Sequence, residues 1–242
     1  MKSRDQLLTL IAIALTFGSG ATDVGAFTRL GGVFTSVMTG NIVFFGLAAA
    51  ERSVSLATHT TVAIGGYIAG VAAATWVLHG VKVRGERSAP ASVPASVSAG
   101  PAAVLPGYVS WALFAELVVL AGAAIGWEIT GARPLGWVQF VLLAVTAGAM
   151  GMQSATVNEM GFSNFSTTFL TGTLTWLVSQ VARPEGDPSG AMRRLSALIA
   201  LAAGAGLSGL LVANAARVVP VLALIAMIAA VVLSRFPVRT GE

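Results

Sequence analysis

VMTGNIVFF, residues 37–45, sets a hydroxyl, a glycine and a carboxamide between apolar flanks. Whether Thr39, Gly40 and Asn41 make a turn beside a strand or interrupt a buried helix depends on the surrounding solvent, and composition decides that. Of 242 residues, 55% are hydrophobic and 10% charged, with a mean hydropathy of +0.82. Soluble domains carry about 25% charged residues. The charges cluster between apolar runs of about 17 to 25 residues, the length that spans ~30 Å of hydrocarbon as helix. Without water in the bilayer core, backbone polar groups must pair within the chain, so the stretch belongs to an all-α polytopic membrane protein.

The net charge of +4 and pI near 10.3 raise the question of nucleic acid, but the basic residues lie at segment ends rather than on one stripe. Orientation in the bilayer accounts for them better. The absence of cysteine excludes disulfides, thiolate metal sites and cysteine nucleophiles. Lys2, Arg4 and Asp5 precede an apolar run that continues into Asp23-Val24-Gly25 without a small-residue cleavage site, which reads as a retained first helix and not a signal peptide. Further apolar segments cover about 33–50, 57–79, 108–127, 134–155, 162–182, 195–213 and 218–234, eight in one membrane domain. Residues 82–107, rich in Pro, Ser and Ala, read as a mobile spacer.

The opening stretch has a second copy. VFTSVMTGNIVFFGLAAA (33–50) matches FSTTFLTGTLTWLVSQVA (165–182), with Thr39-Gly40 over Thr171-Gly172 and Thr35 over Thr167 at one offset of 132. Upstream, FGSGATDVG (17–25) corresponds to AGAMGMQSAT (147–156). Four segments make one unit, giving repeat one at 1–130 and repeat two at 131–242.

Lys and Arg collect in cytoplasmic loops, so they test the topology. Eight full crossings put nine of them inside and five outside, with the basic run of the spacer on the wrong side. Six crossings, with both T-G segments entering and returning, put ten inside and leave Arg29, Arg52, Arg133 and Arg217 outside. The second arrangement is favoured, with both termini cytoplasmic. Three crossings per repeat make the halves inverted, as in many secondary transporters. The alternative is eight crossings with parallel repeats.

Glycine, threonine and asparagine inside the bilayer suit a broken helix that faces a cavity, although small-residue packing uses the same residues; Gly66-xxx-Gly70 and Gly122-xxx-Gly126 read as packing alone. Glu116 lies mid-segment, where a charge costs at least ~2.5 kcal/mol. It reads either as a coupling or substrate-contacting carboxylate or as the partner of Arg29. Asp23 reads as a charge at the site, a helix cap or an interfacial partner of Arg29. Gln153 and Asn158 offer hydrogen bonds to a solute or to a neighbouring helix, His59 and His79 read as solvated segment ends, and the five tryptophans read mostly as interfacial anchors. No H-E-x-x-H, G-x-S-x-G or Walker loop is present, and no cofactor or metal site is expected.

The order G18-x-x-x-x-D23, VFTSVMTGNIV (33–43), mid-segment Glu116, AMGMQSATV (149–157) and TTFLTGTLT (167–175) resembles the YoaK-like family of bacterial membrane proteins, defined by a domain of unknown function. The resemblance covers nearly the whole chain and implies a polytopic inner-membrane protein that moves small molecules. N158-E-M departs from it, since basic residues are expected there in relatives.

Together these features lead to the expectation of a small-molecule or ion transporter or channel, not an enzyme, with a midplane polar site between the two T-G segments. Thr39, Asn41, Thr171 and Thr173 would supply hydrogen bonds there, Gly40 and Gly172 would open the backbone, Glu116 with Asp23 would supply charge, and Gln153 would border it. The expected partners are the lipid bilayer and a small polar solute or ion, with self-association left open and nucleic acid excluded. The competing readings are a non-transporting scaffold or assembly factor, whose breaks serve helix packing, and an enzyme acting on a lipid or quinone through Glu116 or Asp23.

Overall fold

The computed structural model describes residues 2–88, 102–103, 105–160, 170–181 and 188–238. They form eight helices: α1 (Lys2–Arg29), α2 (Met38–Glu51), α3 (Val54–Ser88), α4 (Gly107–Ile129), α5 (Trp137–Glu159), α6 (Leu170–Val181), α7 (Pro188–Asn214) and α8 (Val219–Ser234). A two-residue bridge joins β1 (Ala102–Ala103) to β2 (Pro237–Val238) in antiparallel register. Six helices are long and apolar enough to cross a membrane: α1, α3, α4, α5, α7 and α8, the last counted with the short 3₁₀ turn before it. The exceptions are α2 and α6. At 14 residues α2 rises about 21 Å, short of the ~30 Å core.

Side-chain pairings show which helix ends lie together. His59, near the start of α3, shares its ring nitrogen Nε2 with Gln139 Oε1 at 3.3 Å, and Gln139 Nε2 donates to the carbonyl of Arg29 at the end of α1 (3.0 Å). The chain therefore leaves α1 and enters α3 at one end of the bundle, so residues 30–53 begin and end on the same side of it. At the opposite end Glu159 closes α5 and faces Lys82 of α3 at 3.9 Å, and the β1–β2 bridge ties the approach to α4 to the end of α8. The indole of Trp127, at the end of α4, donates to the carbonyl of Ala216 just before α8 (2.9 Å). Eight full crossings would place Trp127 and Ala216 on opposite faces; six crossings with two returning segments place them together.

Helix packing follows a reciprocal scheme. α1 packs on α7 and α8, α5 packs on α3 and α4, α2 lies on α3 and α6 on α7, while α1 meets α5 and α4 meets α8. Exchanging each helix of the first four for its counterpart in the second four returns the same scheme. Glycine makes the closest crossings, because any Cβ would strike the facing backbone. Gly20 abuts Leu201 and Gly204 abuts Phe17 between α1 and α7; Gly151 abuts Tyr67 and Gly70 abuts Gly148 between α3 and α5. In these crossings Gly20 stands where Gly151 stands, so the structural counterpart of Asp23 is Ser154. Gly66 also packs closely, on Ala144, as expected; Gly122 faces open space, and only Gly126 of that pair meets a neighbour, Leu142.

Two boundaries differ from the sequence reading. α3 runs on to Ser88, so the first seven residues of the expected spacer are helical, while its residues 89–101 and 104 lie outside the described set. The interruption near Thr39 lies earlier than expected. It occupies residues 30–37, and Thr39, Gly40 and Asn41 belong to the first turn or so of α2. Gly31 and Gly32 turn the chain with φ of 101° and 75°, a region glycine enters at little steric cost. The ring of His59 packs directly on Gly31, where a Cβ would collide with it.

Candidate functional site

Irregular backbone within the bilayer needs internal partners for its polar groups. Residues 33–37 obtain them from two side chains. Asp23, six residues or about 9 Å of helix rise before Arg29, accepts four hydrogen bonds. Its Oδ1 takes the Thr35 amide (2.7 Å), the Thr35 hydroxyl (2.9 Å) and the Ser36 amide (2.8 Å), and its Oδ2 takes the Ser36 hydroxyl (2.6 Å). Asn41 reaches back seven residues: Oδ1 accepts from the Phe34 amide at 2.9 Å and Nδ2 donates to the Phe34 carbonyl at 2.6 Å. Phe27, Phe34 and Phe44 cover the loop with stacked and tilted rings 5.2 to 6.4 Å apart. Asp23 and Asn41 are buried, and their hydrogen-bonding capacity is committed to holding the loop.

Glu116 presents the opposite case. It is fully buried, and among the described residues neither carboxylate oxygen has a hydrogen-bond partner. The expected alternative partner, Arg29, instead donates to the Val212 carbonyl at 3.3 Å. Glu116 belongs to the buried stripe Val109, Leu113, Glu116, Leu120, Ala123 and Trp127 of α4, whose alternating spacing of four and three keeps one helix face inward. Leu113 and Leu120, one turn to either side, pack in a cluster with Ile11, Leu15, Met150 and Met227. An ionised carboxylate so placed lacks the pairing that ordinarily offsets its desolvation.

Two cavities lie along the Leu120–Trp127 part of this stripe, and Glu116 lines neither. One of about 40 Å³ is bordered by Thr22, Leu120, Ala123, Trp127, Thr146 and Val219, among others; a smaller one of about 10 Å³ lies between Leu15, Gly18, Gln153 and Met227. Thr22, Leu120 and Ala223 border both, so the two cavities are neighbours between α1, α4, α5 and α8. Thr22 and Thr146 are the hydroxyl-bearing residues of the larger one, and each donates to a carbonyl one turn back in its own helix. Gln153 donates to the Ser19 hydroxyl at 2.9 Å, joining α5 to α1 beside the smaller cavity. Thr22, Trp127 and Thr146 were not anticipated as lining residues; the stripe spacing on α4 pointed to Trp127, and no sequence signal singled out the threonines.

Among the described residues, the two T-G pairs are not brought together. Thr39 is exposed on the outer face of α2, Gly40 lies under the Phe34 ring, and Gly172 is exposed. The two T-G pairs belong to separate helix pairs, α2 with α3 and α6 with α7. Thr173 is buried on α6, whereas the side chain of Thr171 and residues 161–169, including Thr167, lie outside the described set. Of the expected site residues, Glu116 and Gln153 belong to the central region between α1, α4, α5 and α8, and Asp23 and Asn41 to the loop. His59 and Trp127 also depart from expectation: both are buried and hydrogen-bonded, because each ties two helix ends together, whereas Trp76, Trp111 and Trp137 are exposed as interfacial residues would be. Among the described residues no cluster of His, Asp and Glu has the geometry of a metal site.

The chain is similar to the UPF0700 transmembrane protein YoaK of Bacillus subtilis (strain 168), with 28% identity over 179 residues, covering 74% of this chain and 68% of the relative. No solved structure matches it. A family model described as "Protein of unknown function (DUF1275)" matches residues 11–234, the span from the first helix to the end of α8. The chain, a multi-pass transmembrane protein with Glu116 buried at its centre, therefore belongs to the DUF1275 family.

Proposed function

We propose that the protein is a small-solute transporter of the bacterial inner membrane in which Glu116 exchanges a proton or a cation as solute crosses. The observation that carries this reading is the unpartnered Glu116 carboxyl, buried one turn from Leu120, which borders two small cavities. A carboxyl retained where its charge costs at least ~2.5 kcal/mol needs a compensating role, and loading with a proton or cation removes that cost. Emptying the site exposes the cost again, which gives loading and unloading a lever on conformation.

The reciprocal packing of the two four-helix units, each with three crossings, supports an inverted repeat. Under this reading α1 and α5 meet at the symmetry axis, and α4 and α8 rock against them. The asymmetry of the site is then expected, since α8 bears no carboxylate: Glu116 serves both halves. The ten-to-four distribution of basic residues supports cytoplasmic termini, with the Arg29 end outside.

The test is proton movement in proteoliposomes containing a pH-sensitive dye. Under an inward proton gradient, a panel of carboxylates, phosphate and neutral amides should include a solute that accelerates internal acidification, and Glu116→Gln should abolish the acceleration. Solute flux with unchanged pH dependence in Glu116→Gln removes the coupling role. No flux of any solute from well-folded protein favours a packing scaffold, the reading to which the close glycine crossings are equally suited.

A further inference from the structure

At the end of the bundle where α1, α4 and α7 terminate, a groove of about 420 Å³ is bordered by Arg29, Gly131, Arg133 and the stretch 212–218, which includes Arg217. That volume falls within the range of small-molecule sites, about 300 to 1,000 Å³. Three guanidinium groups from three separate chain segments share this groove, and among the described residues no carboxylate lies within ion-pair distance of any of them; the recorded ion pair, Lys82–Glu159, is at the opposite end. The Nε of Arg29 is buried without an acceptor. Its one recorded bond is the long contact from a terminal nitrogen to Val212 O. The turn between α4 and α5 is shaped to admit the cluster: Gly131 and Ala132 both have positive φ, near 60°, and a terminal nitrogen of Arg217 lies 3.6 Å from where a Gly131 Cβ would stand.

We infer that this groove is an oxyanion-binding site, taking a phosphate or carboxylate group between Arg29, Arg133 and Arg217. The groove gathers three positive charges, and an oxyanion both offsets them and supplies the acceptor that Arg29 lacks. Guanidinium suits the task because its planar set of donors matches the paired oxygens of carboxylate and phosphate. The groove adjoins the larger cavity along the Glu116 stripe: Leu30 follows Arg29, Val219 follows Val218, and Trp127 hydrogen-bonds Ala216 of the groove while lining the cavity. If the transport reading holds, the site defines the solute class as anionic and co-transport with a proton on Glu116 would neutralise its charge. The binding itself does not depend on that reading. The oxyanion has two sources, a soluble anion or an anionic lipid headgroup, since the groove lies at the ends of spanning helices.

The experiment reads thermal stability of the full chain in phosphatidylcholine nanodiscs. One arm titrates inorganic phosphate against sodium chloride at matched ionic strength; the other replaces phosphatidylcholine stepwise with phosphatidylglycerol. A saturable rise in melting temperature in either arm supports the site, and the arm that responds identifies the source. Arg133→Gln and Arg217→Gln change exposed side chains and leave packing intact; each is expected to weaken half-saturation roughly tenfold. Arg133→Gln/Arg217→Gln together should remove the response. A response retained in that double variant, or no saturable response in either arm, overturns the inference. Because no proton flux is measured, loss of Glu116 coupling would leave this result standing, and the reverse also holds.

Discussion

Asp23 and Glu116 are both buried carboxyl groups inside spanning helices, yet the first accepts four hydrogen bonds and the second accepts none among the described residues. Six residues from Asp23, Arg29 pairs with neither and donates instead to the Val212 carbonyl. Burial alone therefore says little about role. The Asp23 environment leaves no spare hydrogen-bonding capacity and ties the carboxylate to Thr35 and Ser36, so its work is architectural. The Glu116 environment contributes apolar contacts on the same face and no hydrogen-bond donor among the described residues, so nothing there holds the carboxyl in place.

The comparison predicts opposite responses to mutation. Asp23→Ala should have the largest effect. It leaves the Thr35 and Ser36 amides buried without acceptors, at about 1 to 3 kcal/mol each, in addition to the lost charge-assisted bonds. We expect a loss of about 4 kcal/mol or more in chemical or thermal unfolding, and for much of the protein to fail to accumulate. Asn41→Leu should cost about 2 to 4 kcal/mol by stranding both polar groups of Phe34. Glu116→Leu should go the other way, leaving stability equal or raising it by about 1 to 2 kcal/mol, while removing pH-dependent flux. If Glu116→Leu instead destabilises as strongly as Asp23→Ala, then Glu116 has a structural partner and the contrast fails.

Topology can be tested on the same region without reference to flux. The native chain has no cysteine, so Thr28→Cys and Glu51→Cys, both at exposed positions, report without background. A returning loop exposes both to a membrane-impermeant thiol reagent from one side. Labelling from opposite sides would mean that residues 30–53 cross, contrary to the His59–Gln139–Arg29 linkage.

Much of this architecture was legible in the residues. Segment number and lengths follow from hydropathy, because the bilayer sets them, and the basic-residue count selected six crossings and grouped Arg29, Arg133 and Arg217 on one side. The depth of Glu116 was visible for the same reason. The position of the interruption was not, because Thr39-Gly40-Asn41 carries polar groups but the turn is made earlier by Gly31-Gly32 and held by partners 7 to 13 residues away, a distance at which no periodic pattern operates. The repeat misled in a specific way: matching T-G pairs marks equivalent helices, and equivalence under a two-fold exchange brings together α1 with α5 and α4 with α8, not α2 with α6. The Thr-Gly match therefore aligns the two halves of the chain without pairing α2 with α6 among the described residues.

The smallest expected effect sharpens that last distinction. Thr39 and Asn41 are two residues apart in the stretch that first suggested a site, but on a helix this separation turns them about 200° from one another. Asn41 faces inward to the loop, and Thr39 faces out. Thr39→Val keeps the branched shape and removes the hydroxyl, so with no buried partner to strand it should change stability by less than about 0.5 kcal/mol and leave any flux intact. Were the hydroxyl part of a permeation path, flux would fall with stability unaltered. Comparing Thr39→Val with Asn41→Leu under one unfolding and one flux assay therefore separates the two faces of α2, and a flux defect confined to Thr39→Val would return the solute path to the T-G segments.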